Sequence, residues 1–185
     1  MVAVAIISIL MTLIFSGVRG VIKSGRDKQA DAVCRMVQSG LDSYHAQEGE
    51  WPSPLNGMVE SGSFGSANDA AAKAESVTGE SGDTTKYVLK GEEVRQMVRA
   101  LVNKAREGNP LLDISGLYVS RSTGEANSKG YGLDFISAIR GTRTSKRKMT
   151  LNEMYFGYPD MDTGYFRRFK MVYSIPTDSL SVGKQ

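Results

Sequence analysis

The first eighteen residues, Met1 to Val18, carry no charged side chain. Their polar members, Ser8, Thr12 and Ser16, have small hydroxyls that can bond back to carbonyls of their own helix. As an α-helix rising ~1.5 Å per residue, this run reaches roughly 27 Å, close to the ~30 Å hydrocarbon thickness of a bilayer. Charge then arrives abruptly with Arg19, Lys23, Arg26, Asp27 and Lys28. The helical period continues through them. Ala30, Val33, Cys34, Val37, Leu41 and Tyr44 recur at three- and four-residue spacing and mark one face. The sequence therefore predicts one long helix from Met1 to about His45, apolar all round in its first half and amphipathic in its second.

Few arrangements need such a helix. A secretory signal peptide carries basic residues ahead of its apolar run and a small-residue cleavage site behind it. Here the helical pattern runs on past Val18 without a break. An ordinary anchor ends at a loop. A helix with these two halves suits a subunit that waits in a membrane and is later packed into a filament, where neighbouring helices replace the lipid.

The residues also carry a family resemblance. Val2-Ala-Val-Ala-Ile-Ile-Ser-Ile-Leu10 resembles the N-terminal helix of type IV pilins and type II secretion pseudopilins. Leu41-Asp-Ser-Tyr-His-Ala-Gln-Glu-Gly-Glu-Trp-Pro-Ser-Pro54 is similar to the family's next landmark, a helix ending in tyrosine followed by an acidic, glycine-containing stretch and an aromatic-proline pair. The two cover about the first 54 residues; the rest has no residue-by-residue match. The resemblance implies a pilin-like α+β fold, a single-pass protein of the bacterial inner membrane with a periplasmic domain, and an axial filament core built from Val4, Ile7, Leu10, Leu13 and Ile14. Its partners would be homologous subunits, the lipid bilayer and an inner-membrane assembly platform driven by a separate motor. Family members begin with a basic leader, a glycine at the cleavage point, an N-methylated residue and a glutamate. None of these stands here, so Met1 is expected to be an internal residue of the family pattern. The positive residues following the run would by themselves hold the domain inside; the family places it outside.

The expected organisation is a transmembrane or filament-core segment, 1–22, and a soluble pilin-like domain, 23–185. The domain comprises the amphipathic half-helix to about 45, a variable loop region 46–86, a helix 87–106 and an antiparallel sheet region 111–175. Without the long helix about 140 residues remain, enough for one core. Trp51-Pro-Ser-Pro54 stops the first helix, because residues before proline avoid the α region. Ala70 to Glu75 suits a short exposed helix, and Ser76 to Thr85 a loop. Tyr87 to Arg106 has a buried face of Val94, Met97, Val98, Leu101, Val102 and Ala105, with Glu92 and Glu93 in its first turn and Lys104 and Arg106 in its last, as the helix dipole favours. Gly108-Asn-Pro110 ends it. Leu111 to Ser120 carries β signals, Ser122 to Asn127 a turn, and Tyr131 to Ile139 fits strand or short helix equally. Arg140 to Thr150 is a basic loop, Met154 to Tyr158 a strand and Pro159 to Gly164 a turn. Tyr165 to Ile175 interleaves Phe166, Phe169, Met171 and Tyr173 with Arg167, Arg168 and Lys170, as a half-exposed strand does. The last ten residues are expected to fray.

The chemistry is sparse. The chain has one histidine, His45, and one cysteine, Cys34. Eleven positions apart on one helix they are separated by roughly 16 Å, too far for a nucleophile and its base. On its stripe Cys34 reads as a small buried hydrophobe. No HExxH, CxxC, GxSxG or phosphate-loop motif occurs, so no enzymatic function and no cofactor is expected. Asp160-Met-Asp162-Thr-Gly164 places alternate aspartates before a glycine, the beginning of a Ca²⁺ loop without its closing glutamate; a plain turn fits better. Arg140, Arg143, Lys146, Arg147 and Lys148 crowd five positive charges into nine residues and would attract phosphate or anionic lipid. No aromatic lies among the nine, and the net charge of +3 is small, so nucleic acid is not an expected partner. The reading is a structural subunit, a pseudopilin or minor pilin. Beside it stand a competence-type DNA-binding pilin, a membrane-anchored periplasmic module that never assembles, and a signal-anchored enzyme.

Overall fold

The computed structural model describes residues 2–62, 86–89, 91–109, 111–121, 130, 132–141, 148–160, 163 and 165–184, and of the side chains on 2–10, 12–17 and 19 nothing is said. The chain is α+β. Helix α1 (Val2–Glu48) leads into a short α2 (Leu55–Ser61). Strand β1 (Lys86–Val88) precedes α3 (Gly91–Arg106). Then come β2 (Tyr118–Ser120), β3 (Leu133–Asp134), α4 (Phe135–Arg140), β4 (Tyr155–Pro159), β5 (Phe166–Ser174) and β6 (Ser179–Lys184).

The six strands form an antiparallel sheet with β5 as its hub. Residues 166–168 of β5 pair with β4, 169–174 with β6 and 172–174 with β1. Beyond β4 lie β2 and then β3. From residue 168 on the long strand alternates buried Phe169, Met171 and Tyr173 with more open residues, while Phe166 is buried on the other side of the pleat. Phe169, Met171 and Tyr173 share one core with the stripe of α1, where Ala30, Val33, Cys34, Val37 and Leu41 are all within 5% of full burial. Helix α3 supplies Val94, Met97, Val98, Leu101 and Val102 to the same core. It crosses α1 at Gly40, where a Cβ would stand 2.9 Å from the Leu111 carbonyl oxygen and 3.3 Å from Leu101 Cδ1. Only a residue without a side chain allows so close an approach.

Three expectations are corrected. Tyr87 and Val88 do not open the second helix; they are strand residues of β1, Tyr87 opposite Tyr173, and the helix starts at Gly91. The region 46–86 is not loop throughout, because Leu55, fully buried, anchors α2 in the core. The C-terminal residues do not fray. Residues 179–184 pair along β5 from Ser174 to Phe169, so the sheet extends to Lys184 rather than 175. The apolar run at 131–139 resolves as both alternatives: β3 followed directly by α4, whose first turn is capped by the Asp134 carboxylate accepting from the Ser137 N–H at 2.8 Å. Residues 70–75, 76–85 and 122–127 lie outside the described residues.

Candidate functional site

The features that set this molecule apart gather on α1, which changes character along its length. From Met11 to Gly25 every described side chain is exposed. Met11, Val18, Val21 and Ile22 are 54, 49, 73 and 49% exposed, a row of large apolar groups that the domain leaves uncovered. A Cβ built on Gly20 or Gly25 meets nothing within 4 Å. Burial begins at Ala30 and holds to Leu41. Val4, Ile7, Leu10, Leu13 and Ile14 lie on the helical backbone of the first half, with their side chains outside the described set. Among the described residues no helix is long and apolar enough to cross a membrane.

Three polar devices fix where α1 leaves the domain. At the exit, the Lys184 ammonium pairs with Asp27 and, at 2.8 Å, with Asp31, one helical turn apart. Hydrogen bonds from Lys184 to both carboxylates raise its ordinary pKa further. Midway, Gln38 acts as a short strand. Its Nε2 donates to the Leu180 carbonyl at 2.8 Å, and the Val182 N–H donates to its Oε1 at 2.7 Å. Among the described strands β6 pairs only with β5. The glutamine thus satisfies two backbone groups on an edge that would otherwise be open to another chain. At the far end, the Asp178 carboxylate in the β5–β6 turn accepts from the Trp51 indole N–H at 2.8 Å and the Tyr173 hydroxyl at 2.7 Å. His45 stacks on Trp51 with centroids 4.2 Å apart, and its Nε2 lies 3.7 Å from Asp178. Burial raises the Asp178 carboxyl, but the bonds from Tyr173 and Trp51 outweigh it, leaving the group below its usual range. Burial, then the bond to Asp178, pushes the Tyr173 hydroxyl up to about 12. Asp178 has φ 44°, a left-handed conformation that aspartate tolerates better than most residues.

Cys34 is buried and free, and burial first, then Asp31, lifts its thiol to about 11, so it stays protonated and inert. Asp160 follows β4 and holds the turn into β5: Oδ1 accepts from the Thr163 N–H and hydroxyl at 2.8 Å each, and Oδ2 from Arg167 Nε at 3.2 Å. Asp162 lies outside the described residues. Among those residues no cluster of three or more His, Cys, Asp or Glu side chains stands ready for a metal ion. Arg140 is exposed at the end of α4, and Lys148 is exposed with its carbonyl accepting from Arg121; Arg143, Lys146 and Arg147 lie outside the described residues. Sequence reasoning missed Gln38, Asp178 and Lys184, because each works through a partner more than 120 residues away. Comparison with family models, with curated proteins and with solved structures found no match.

Proposed function

We propose that the chain is a structural subunit of a filament of the type IV pilus or type II secretion kind, a pseudopilin or minor pilin. The observation that carries this reading is the division of α1. One continuous helix is cemented to a sheet over its second half and presents uncovered apolar side chains, Met11, Val18, Val21 and Ile22, along its first. An exposed apolar surface of that extent belongs against lipid or against like surfaces of other copies. The charge-free run 1–18 has the length for a bilayer. In this role the helix waits in the inner membrane and then packs with other copies into an axial core, while the domain coats the outside. No active site is needed, since the mechanism is packing.

The test is Ile7→Asp in an otherwise complete chain. A charge within an apolar contact costs several kcal/mol unless it is paired. The expected result is a folded domain that no longer enters filaments or supports secretion. Normal filaments or secretion from cells carrying only Ile7→Asp would overturn the reading.

A further inference from the structure

A filament subunit needs contacts between domains as well as between helices. Between α3, the end of α4 and the segment 149–152 lies a groove of about 470 Å³. Arg99, Asn103 and Arg106 line one wall, and their spacing of four and then three residues puts them on a single face of α3. Ile139, Met149 and Leu151 line the other, and Ile139 is 38% exposed. Among the described residues neither Arg99 nor Arg106 has a carboxylate partner. The surrounding acids are engaged elsewhere: Glu92 with Arg95, Glu153 with Arg121, and Glu107 beside Lys104. The groove therefore calls for a ligand that brings two negative charges and an aliphatic group together. A bare inorganic anion would leave the Ile139 wall uncovered.

The chain carries such a surface itself. At α2 the Asn56 Nδ2 donates to Glu50 Oε2 at 2.8 Å and to Glu60 Oε1 at 3.3 Å, so two carboxylates converge on one amide nitrogen. Neither has a cationic partner among the described residues. Val59, next to Glu60, is 37% exposed. One copy cannot fill its own groove. Lys104, which faces the end of α1 through Glu48, sits roughly 140° round α3 from Arg99 at ~100° per residue. The acidic corner follows α1 on that other side.

We propose that the groove of one copy receives the acidic α2 corner of a second copy, Glu50 and Glu60 meeting Arg99 and Arg106 while Val59 covers Ile139. The two surfaces differ, so the contact is heterologous and extends into an open array wherever its rotation does not close; in this it rests on the filament reading.

Two differently tagged populations of the full chain in mild detergent test it. One carries Gly57→Cys, at an open position where a Cβ meets nothing; the other carries Asn152→Cys, on the groove. A short bismaleimide should join the two tags, and should join Gly57→Cys to itself poorly. Arg99→Glu with Arg106→Glu on the groove copy should cut the mixed product about tenfold, since like charges then face one another. Glu50→Arg with Glu60→Arg on the other copy should restore it. Arg99→Ala with Arg106→Ala should give a smaller loss of the same sign. Unchanged yield on charge reversal, no restoration in copies that melt like the parent, or self-joined Gly57→Cys as abundant as mixed product would each overturn the proposal. Filaments that need Ile7 but give no mixed product overturn this contact and leave the filament reading standing; normal filaments from Ile7→Asp overturn that reading instead.

Discussion

The two halves of α1 share one backbone geometry and differ in what surrounds them. The second half concentrates Ala30, Val33, Cys34, Val37 and Leu41 into a stripe, and a stripe is what a sheet face can cover. The first half has apolar residues on every side, and no single surface of a small domain covers a whole cylinder. Met11, Val18, Val21 and Ile22 stand open for that reason. Burial within the chain is thus decided by how apolar residues are distributed around a helix, and their number alone would have favoured the wrong half.

The comparison fails most visibly if the first half is dispensable. A chain beginning at Lys23 should lose its membrane affinity, because each fully buried large aliphatic side chain contributes about 1.5–3 kcal/mol and the run sums to more than about 10 kcal/mol. Flotation with phosphatidylcholine vesicles checks this. A shortened chain that still floats would break the contrast. Next comes the core. Leu41→Ala, at a fully buried position, should cost about 2–5 kcal/mol in urea unfolding. Ile7→Ala in the same assay should change the domain by less than about 0.5 kcal/mol.

Glycines sharpen the contrast by reversing sign. Gly40→Ala pushes a methyl against the Leu111 carbonyl and should cost about 1–3 kcal/mol. Gly20→Ala meets nothing and should strengthen the helix by up to about 1 kcal/mol, seen as greater helicity by circular dichroism. A small effect is expected at the far pin. Asp178→Asn keeps a residue that accepts φ 44° and removes the charge. The carboxylate is 56% exposed, so screening should hold the loss under about 1 kcal/mol. Because the folded pKa lies below the unfolded value of ~3.9, this contribution is present above that pH and is lost as pH falls through the folded value. The gap between parent and variant should close in that acid window, followed by fluorescence of Trp51, the chain's one tryptophan.

What could be read in advance follows the same physics. The stripes of α1 and α3 repeat over many turns, so the buried faces of both helices were legible except at their C-terminal ends, where Tyr44 and Ala105 are only half-buried. The strand β5 was legible because seven of its nine residues, 168–174, alternate. By contrast β6 offers only Leu180 and Val182 as large apolar residues, and its partners are a strand and the Gln38 amide, neither visible locally. Tyr87 and Val88 read as helix in the sequence because three residues set no period of their own; their pairing with β5 decides. On the groove, Arg99, Asn103 and Arg106 each read singly as the solvated side of a helix, and only the nearness of 149–152 gives them a common wall.

The Gln38 amide also has a consequence in time. Its bond from Val182 joins residues 144 apart in sequence, a contact whose loop closure delays it relative to local turns and hairpins. Until it forms, a β6 already zipped to β5 shows unpaired backbone groups to any other copy nearby. Docking of the helix therefore ends a vulnerable interval in folding, and how quickly α1 swings onto β6 sets how long newly made copies can join strand to strand by mistake.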